Sequence, residues 1–240
     1  MISTSFEDLA QALRLLLEAN IRAHHEGLIF VDRAEAVGNI EAGLNSVVNA
    51  FHSLYDACEK ELLSQALDWY QHPELATILA IRNARHHNKA NKIRQLYNFH
   101  VQTTPTPQDM QKYVVVDFPA QEEGGDTFDV YLSWSDLDEF LGLPSKESRM
   151  RTTTIEEIRA YLASQRFPEH AAKNQLSVDR VFFNVVPLIV NAASKLVPHI
   201  RSSIDPKSTE AKVFVSLFED MPQALISQHC VKVITIFLPN

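Results

Sequence analysis

Apolar residues recur at helical spacing through the first hundred positions of the chain. Leu9, Leu13, Leu16, Leu17 and Ile21 form one stripe, and Ser5 with Asp8 has the form of a capping box ahead of it. Asp32 with Glu35 marks a second helix start. Val37, Ile40, Leu44, Val47, Val48, Phe51, Leu54 and Cys58 follow, with Leu62 and Leu63 at the end. This pattern predicts one amphipathic helix of about eight turns, well beyond the 3–4 turns of an average helix. Such a helix packs against several partners or against a second chain. Pro73 suits the first turn of a third helix. Its stripe is Leu75, Ile78 and Leu79, and it resumes at Ile93 and Leu96.

The period changes after Thr103–Pro107, where two prolines in three positions forbid helix and favour extended chain. Tyr113–Phe118 and Phe128–Trp134 are short runs rich in valine and aromatic residues, separated by the acidic loop Glu122–Asp126. They predict a β-hairpin. Helices are expected over Ser135–Leu141, from Thr154 to Leu162, over Ser177–Ser203 with kinks at Pro187 and Pro198, and over Lys207–Asp220. Val231–Leu238 reads as a last strand able to pair with the hairpin. The fold class is therefore mainly α. A helical bundle over residues 1–102 and a linker over 103–111 precede a smaller α+β region over 112–240, with a β-hairpin and a C-terminal strand.

Composition narrows the chemistry. Only 6 of 240 residues are glycine, against about 7% in average proteins. No glycine-rich phosphate loop can be written with them. The two cysteines, Cys58 and Cys230, form no C-x-x-C pair and read as buried thiols in a reducing compartment. The N-terminus has no basic leader, and polar residues break every apolar stretch short of a membrane span. These features predict a soluble cytoplasmic protein without membrane contact. The net charge of −8 offers nucleic acid nothing at first sight.

One segment changes that picture. Residues 82–95 contain Arg82, Arg85, Lys89, Lys92 and Arg94 and no acid. These are five of the chain's 22 lysines and arginines, where an even spread would put about one. If the third helix continues, Arg82, His86 and Lys89 interrupt the apolar face, which suits a site or a stretch projecting into solvent. Arginine and histidine together suit a phosphodiester. A guanidinium grips phosphate oxygens, and an imidazole moves a proton near neutrality. RNA carries its own nucleophile in the 2′-hydroxyl, so no metal or cofactor is required. The flanking cations Arg85, Lys89, Lys92 and Arg94 would hold the backbone in a salt-dependent way.

Arg82-Asn83-Ala84-Arg85-His86-His87 resembles the R-x(4–6)-H motif of the HEPN superfamily, with asparagine after the arginine. The resemblance covers about residues 5–100. It implies a helical bundle that commonly dimerises, with two motif copies facing one cleft. It also implies metal-independent endoribonuclease activity, as in toxin–antitoxin or antiphage defence systems, with RNA as substrate and, in such systems, a protein antitoxin or regulator as partner. By position, Arg82 would bind phosphate, His87 would be catalytic and Asn83 would support them. On a continuous helix Arg82 and His86 lie about 40° apart, whereas Arg82 and His87 diverge by roughly 140°. Either the helix breaks within the motif or His86 takes the role. Some members of the family are non-catalytic, so the alternative is a nucleic-acid-binding or protein-interaction regulator.

Other constellations are weaker. His24-His25, His52 with Asp56, and the motif histidines match no metal-ligand spacing, and no metal site is expected. Trp69, Tyr70 and Tyr97 flank the basic segment and are expected in the core. Asp136, Asp138 and Glu139 form an acidic cluster that lacks a calcium-loop pattern.

Overall fold

The computed structural model describes residues 1–63, 67–86, 93–104, 106, 109–119 and 128–237, except for the side chain of His86. The chain is mainly helical, with a small mixed sheet in its C-terminal part. The described residues form two compact units, one from residues 1–82 and 189–223, the other from 83–188 and 224–240. The limits at 82/83 and 188/189 fall inside helices, and the one at 223/224 falls between a helix and the last strand. No helix of the described residues is long and apolar enough to cross a membrane.

The first unit is all helix. Helix α1 spans Ile2–His24, α2 Leu28–Val31 and α3 Arg33–Leu62. Helix α1 begins ahead of Ser5, so Ser5 lies within its first turn and caps nothing. The amide of Ser5 donates to the Met1 carbonyl at 2.9 Å, and burial of Ile2 and Phe6 favours the earlier start. The second helix starts where the spacing predicts: the Asp32 carboxylate accepts from the Glu35 amide at 2.9 Å. Helices α1 and α3 are the main packed pair. They approach so closely that a Cβ on Gly43 would stand 3.0 Å from the Leu16 Cα. Trp69 lies in a short 3-10 turn, fully buried edge-on to Phe51 and Tyr55. Helix α4, Pro73–His86, starts at its proline as expected.

The second unit continues from α4 into α5, Leu96–Thr103. Strands β1, Gln111–Asp117, and β2, Tyr131–Ser133, follow, then the helices α6, Trp134–Leu141, α7, Ser145–Ser148, α8, Thr152–Tyr161, and α9, Phe167–Lys173. Strand β3, Val181–Asn184, leads into α10, Val186–Ile200. Helix α11, Thr209–Asp220, returns to the first unit, and β4, Cys230–Ile236, closes the sheet.

The strand order is β2-β3-β1-β4. The predicted hairpin is therefore not formed, because β3 lies between its two arms. Strand β3 is parallel to β1, with Val115 opposite Phe182, and antiparallel to β2, with Leu132 opposite Phe183. The expected helix over Ser177–Ser203 is likewise divided. Val181-Phe182-Phe183-Asn184 is buried at every position and pairs on both sides, a setting that favours β-branched and aromatic residues. Pro187 then stands in the first turn of α10 and starts that helix rather than kinking it. Pro198 lies inside its last turn. The C-terminal strand pairs antiparallel with β1 from Gln111↔Ile236 to Asp117↔Cys230.

Candidate functional site

Helix α4 carries the start of the basic segment. Leu75, Ile78 and Leu79 are buried as the stripe requires, but Ala76, Thr77, Ala80, Ile81 and Ala84 are buried too. Burial therefore runs around the helix and takes in polar residues near its end. Asn83 is 5% exposed and Arg85 7%, while Arg82 is half-buried. The helix stays continuous through His86. Positions 82 and 86 therefore share one side of α4, and the break within the motif that a His87 pairing would require does not occur before His86. Beyond it the single predicted stripe ends, since Ile93 precedes a new helix beginning at Leu96. His87, Lys89 and Lys92 lie outside the described residues, as does the side chain of His86.

Two of the predicted RNA-binding cations have partners within the second unit. Arg85 Nη1 donates to the Ile93 carbonyl oxygen at 2.9 Å, a buried bond. Arg94 grips the Asp136 carboxylate through Nε at 2.8 Å and Nη2 at 2.6 Å, and its backbone amide donates to the same group at 2.9 Å. Its guanidinium also stands 4.5 Å from the centre of the Phe99 ring. Asp136 is 2% exposed and lies in the first turn of α6, where its own amide donates to the Ser133 hydroxyl at 3.3 Å. The Asp136 contact raises the Arg94 pKa, against the opposing effect of burial. The Ser133 amide donates to the Arg94 carbonyl at 2.9 Å, and Gln95 bridges to Leu132. The chain downstream of the basic run is thus fastened to β2 and α6 by side chain and backbone together.

A second polar cluster was not visible in the spacing. Asn184, fully buried at the end of β3, donates to Asp117 at 3.1 Å and to Asp129 at 2.7 Å. Its carbonyl oxygen accepts from the amides of Val130 at 3.2 Å and Val186 at 3.1 Å. Tyr131 donates to the other oxygen of Asp129 at 3.0 Å. Burial, then the neighbouring Asp117 charge, raises the Asp129 pKa. Three short segments far apart in sequence meet here, so no local motif announces the cluster. His170 and His229 form another pair, 2.9 Å between ring nitrogens, with the far nitrogen of His229 2.9 Å from the Leu162 carbonyl. Burial is the main reason the His229 pKa falls to about 4.

The remaining candidates are ordinary. Among the described residues no three His, Cys, Asp or Glu side chains group as metal ligands. His52 pairs with Asp56 along α3 at 3.5 Å. Cys58 is buried, which pushes its thiol up to about 12 and removes its nucleophilicity. Cys230, expected in the core, is exposed on the outer strand β4. A groove of about 460 Å³ beside Trp134 is lined by Asp138, Arg159, Ser164, Gln165 and Pro168, with none of the predicted site residues. No family model matches the chain, and no curated protein or solved structure matches it.

Proposed function

We propose that this chain is a metal-independent endoribonuclease of the HEPN type, acting through Arg82 with His86 or His87 and supported by Asn83. The observation that carries the reading is the motif's setting. The Arg-Asn pair closes an unbroken helix enclosed on all sides, with Asn83 buried beside a half-buried Arg82. A buried scaffold of this kind holds a phosphate-binding arginine in one place. In the reaction the RNA 2′-oxygen attacks phosphorus and the bond to the 5′-oxygen breaks. One histidine accepts the 2′-hydroxyl proton, and the protonated imidazole, directly or through water, returns a proton to the leaving 5′-oxygen. Arg82 stabilises the charge on the phosphoryl oxygens. With Arg85 and Arg94 engaged in the fold, Lys89 and Lys92 take the larger share of backbone attraction. The α+β region then serves substrate choice or regulation, in a cytoplasmic homodimer held in check by a protein antitoxin or regulator.

The test is cleavage of single-stranded RNA in EDTA, with the ends of the products identified. The reading expects 5′-hydroxyl and 2′,3′-cyclic phosphate ends, and loss of cleavage in Arg82→Ala and His87→Ala or His86→Ala. Undiminished cleavage by the triple alanine variant would remove it. A second reading is favoured by the internal pairing of Arg85 and Arg94: a non-catalytic regulator that binds nucleic acid or a protein. It expects salt-sensitive RNA binding with intact strands at every enzyme concentration.

A further inference from the structure

The two edges of the sheet are finished differently. Strand β2 is three residues long, its Leu132 and Ser133 are buried, and Arg94 and Gln95 cover its outer side through the Ser133–Arg94 hydrogen bond and the Gln95–Leu132 bridge. Strand β4 is seven residues long and bonded to β1 throughout, and among the described residues nothing pairs with its other edge. It contains no proline and a single charge, Lys232. Proline, charge and covering segments are the usual guards of an edge strand. Its faces are open as well. Cys230, Lys232 and Thr235 are exposed, Val233 is 43% exposed and Phe237 just beyond is 49% exposed. The neighbouring β1 is buried from Tyr113 to Val116.

We infer that β4 is a pairing edge for a second copy of this chain, the two β4 strands running antiparallel about a twofold axis at Val233. Among the described residues this edge leaves a row of backbone donors and acceptors that another strand can satisfy. Self-pairing is selected by register. A twofold axis perpendicular to the sheet must pass through a residue pair, so that opposed side chains point to one face. Centring on Lys232 would oppose two ammonium groups, which destabilises a pair. Centring on Val233 overlaps Cys230–Ile236 completely, sets each Lys232 against Ile234, and brings the two exposed valines together. The guarded β2 edge then ends the sheet on either side, so the pairing closes at eight strands instead of continuing as a fibre. The homodimer of the proposed function is thereby assigned to β4 rather than to facing motif copies, and the test does not depend on ribonuclease activity.

The experiment is sedimentation equilibrium of the full chain across a concentration series, with V233K, V233E and their equimolar mixture. Position 233 is exposed, so both variants should fold, which circular dichroism melting checks. The inference expects a wild-type dimer and a dimer dissociation constant raised about tenfold or more in each single variant. It also expects dimer restored in the mixture, where lysine faces glutamate. A wild-type monomer at all concentrations would overturn it. So would a dimer that persists in both folded variants, since another surface would then hold the copies together, and so would variants that stay monomeric when mixed.

Discussion

Two buried polar clusters of the second unit follow opposite charge logic. Around Arg94 and Asp136 a cation meets an anion in a two-pronged grip, with a backbone amide added. Around Asn184 two carboxylates face one neutral amide, which donates to both. The first cluster consumes a charge that the linear sequence offers to a ligand. The second concentrates charge that the fold must restrain. The lesson concerns the basic run at 82–94: its five cations overstate the field it presents, because Arg94 is neutralised by a carboxylate 42 residues away.

Asp136→Ala should have the largest effect. It strands the partly buried Arg94 guanidinium and the Arg94 amide, and should lower unfolding free energy by about 3 kcal/mol. The double variant Arg94→Met with Asp136→Asn keeps an acceptor for that amide and should cost only about 1 kcal/mol. Urea denaturation measures both. A double variant as unstable as the single would mean the ion pair itself, not the stranded charge, holds this corner.

Asn184→Ala comes next, at about 2 kcal/mol, because two carboxylates and two backbone amides lose partners. Its deficit should shrink below about pH 4, where carboxyls take up protons, whereas acid should bring Asp136→Ala no such relief. Equal behaviour of the two variants in acid would erase the distinction between the clusters.

A pair of opposed pH slopes gives a further contrast. The folded-state pKa of Asp129 is raised, so the folded protein binds this proton more tightly than the unfolded chain. Its contribution is present at low pH and is lost as pH rises through the raised value. His229 is depressed from 6.5 to about 4, so its contribution is present above 6.5 and is lost as pH falls through about 4. Asp129→Asn should leave the slope of His229, joined by His170 and His24 whose pKa values are also lowered, with urea midpoints rising from about pH 4 to about 6.5. A midpoint that falls over that range in Asp129→Asn would show that another carboxyl carries the acidic term.

Local chemistry was legible in the sequence and distant pairing was not. Asp32 announces α3 because a cap and its amide lie three residues apart, and Pro73 announces α4 through its fixed φ. Strand β3 was hidden because a short apolar run ahead of a helix has no period of its own to separate it. The hairpin expectation assumed that neighbouring strands pair, yet the burial of Val181–Asn184 on both sides draws that segment between them. At the candidate site the arginine, asparagine and histidines were readable from their order. That Arg85 would be buried was not, because its partner, the Ile93 carbonyl, lies eight residues on and beyond the helix. Asp136 carried a usable sign, a serine three residues before it at a helix start, but nothing local tied it to Arg94.

On the proposed function the arginines of the basic run divide their labour, Arg82 for chemistry and Arg94 for the fold. The most direct test of this division compares EDTA-resistant RNA cleavage by Arg82→Ala with that by the folded Arg94→Met/Asp136→Asn double variant. Arg82→Ala is expected to lose cleavage by about 100-fold or more while still folded, and the double variant to cleave like the wild type. Cleavage retained by Arg82→Ala, or lost by a fully folded double variant, would contradict it.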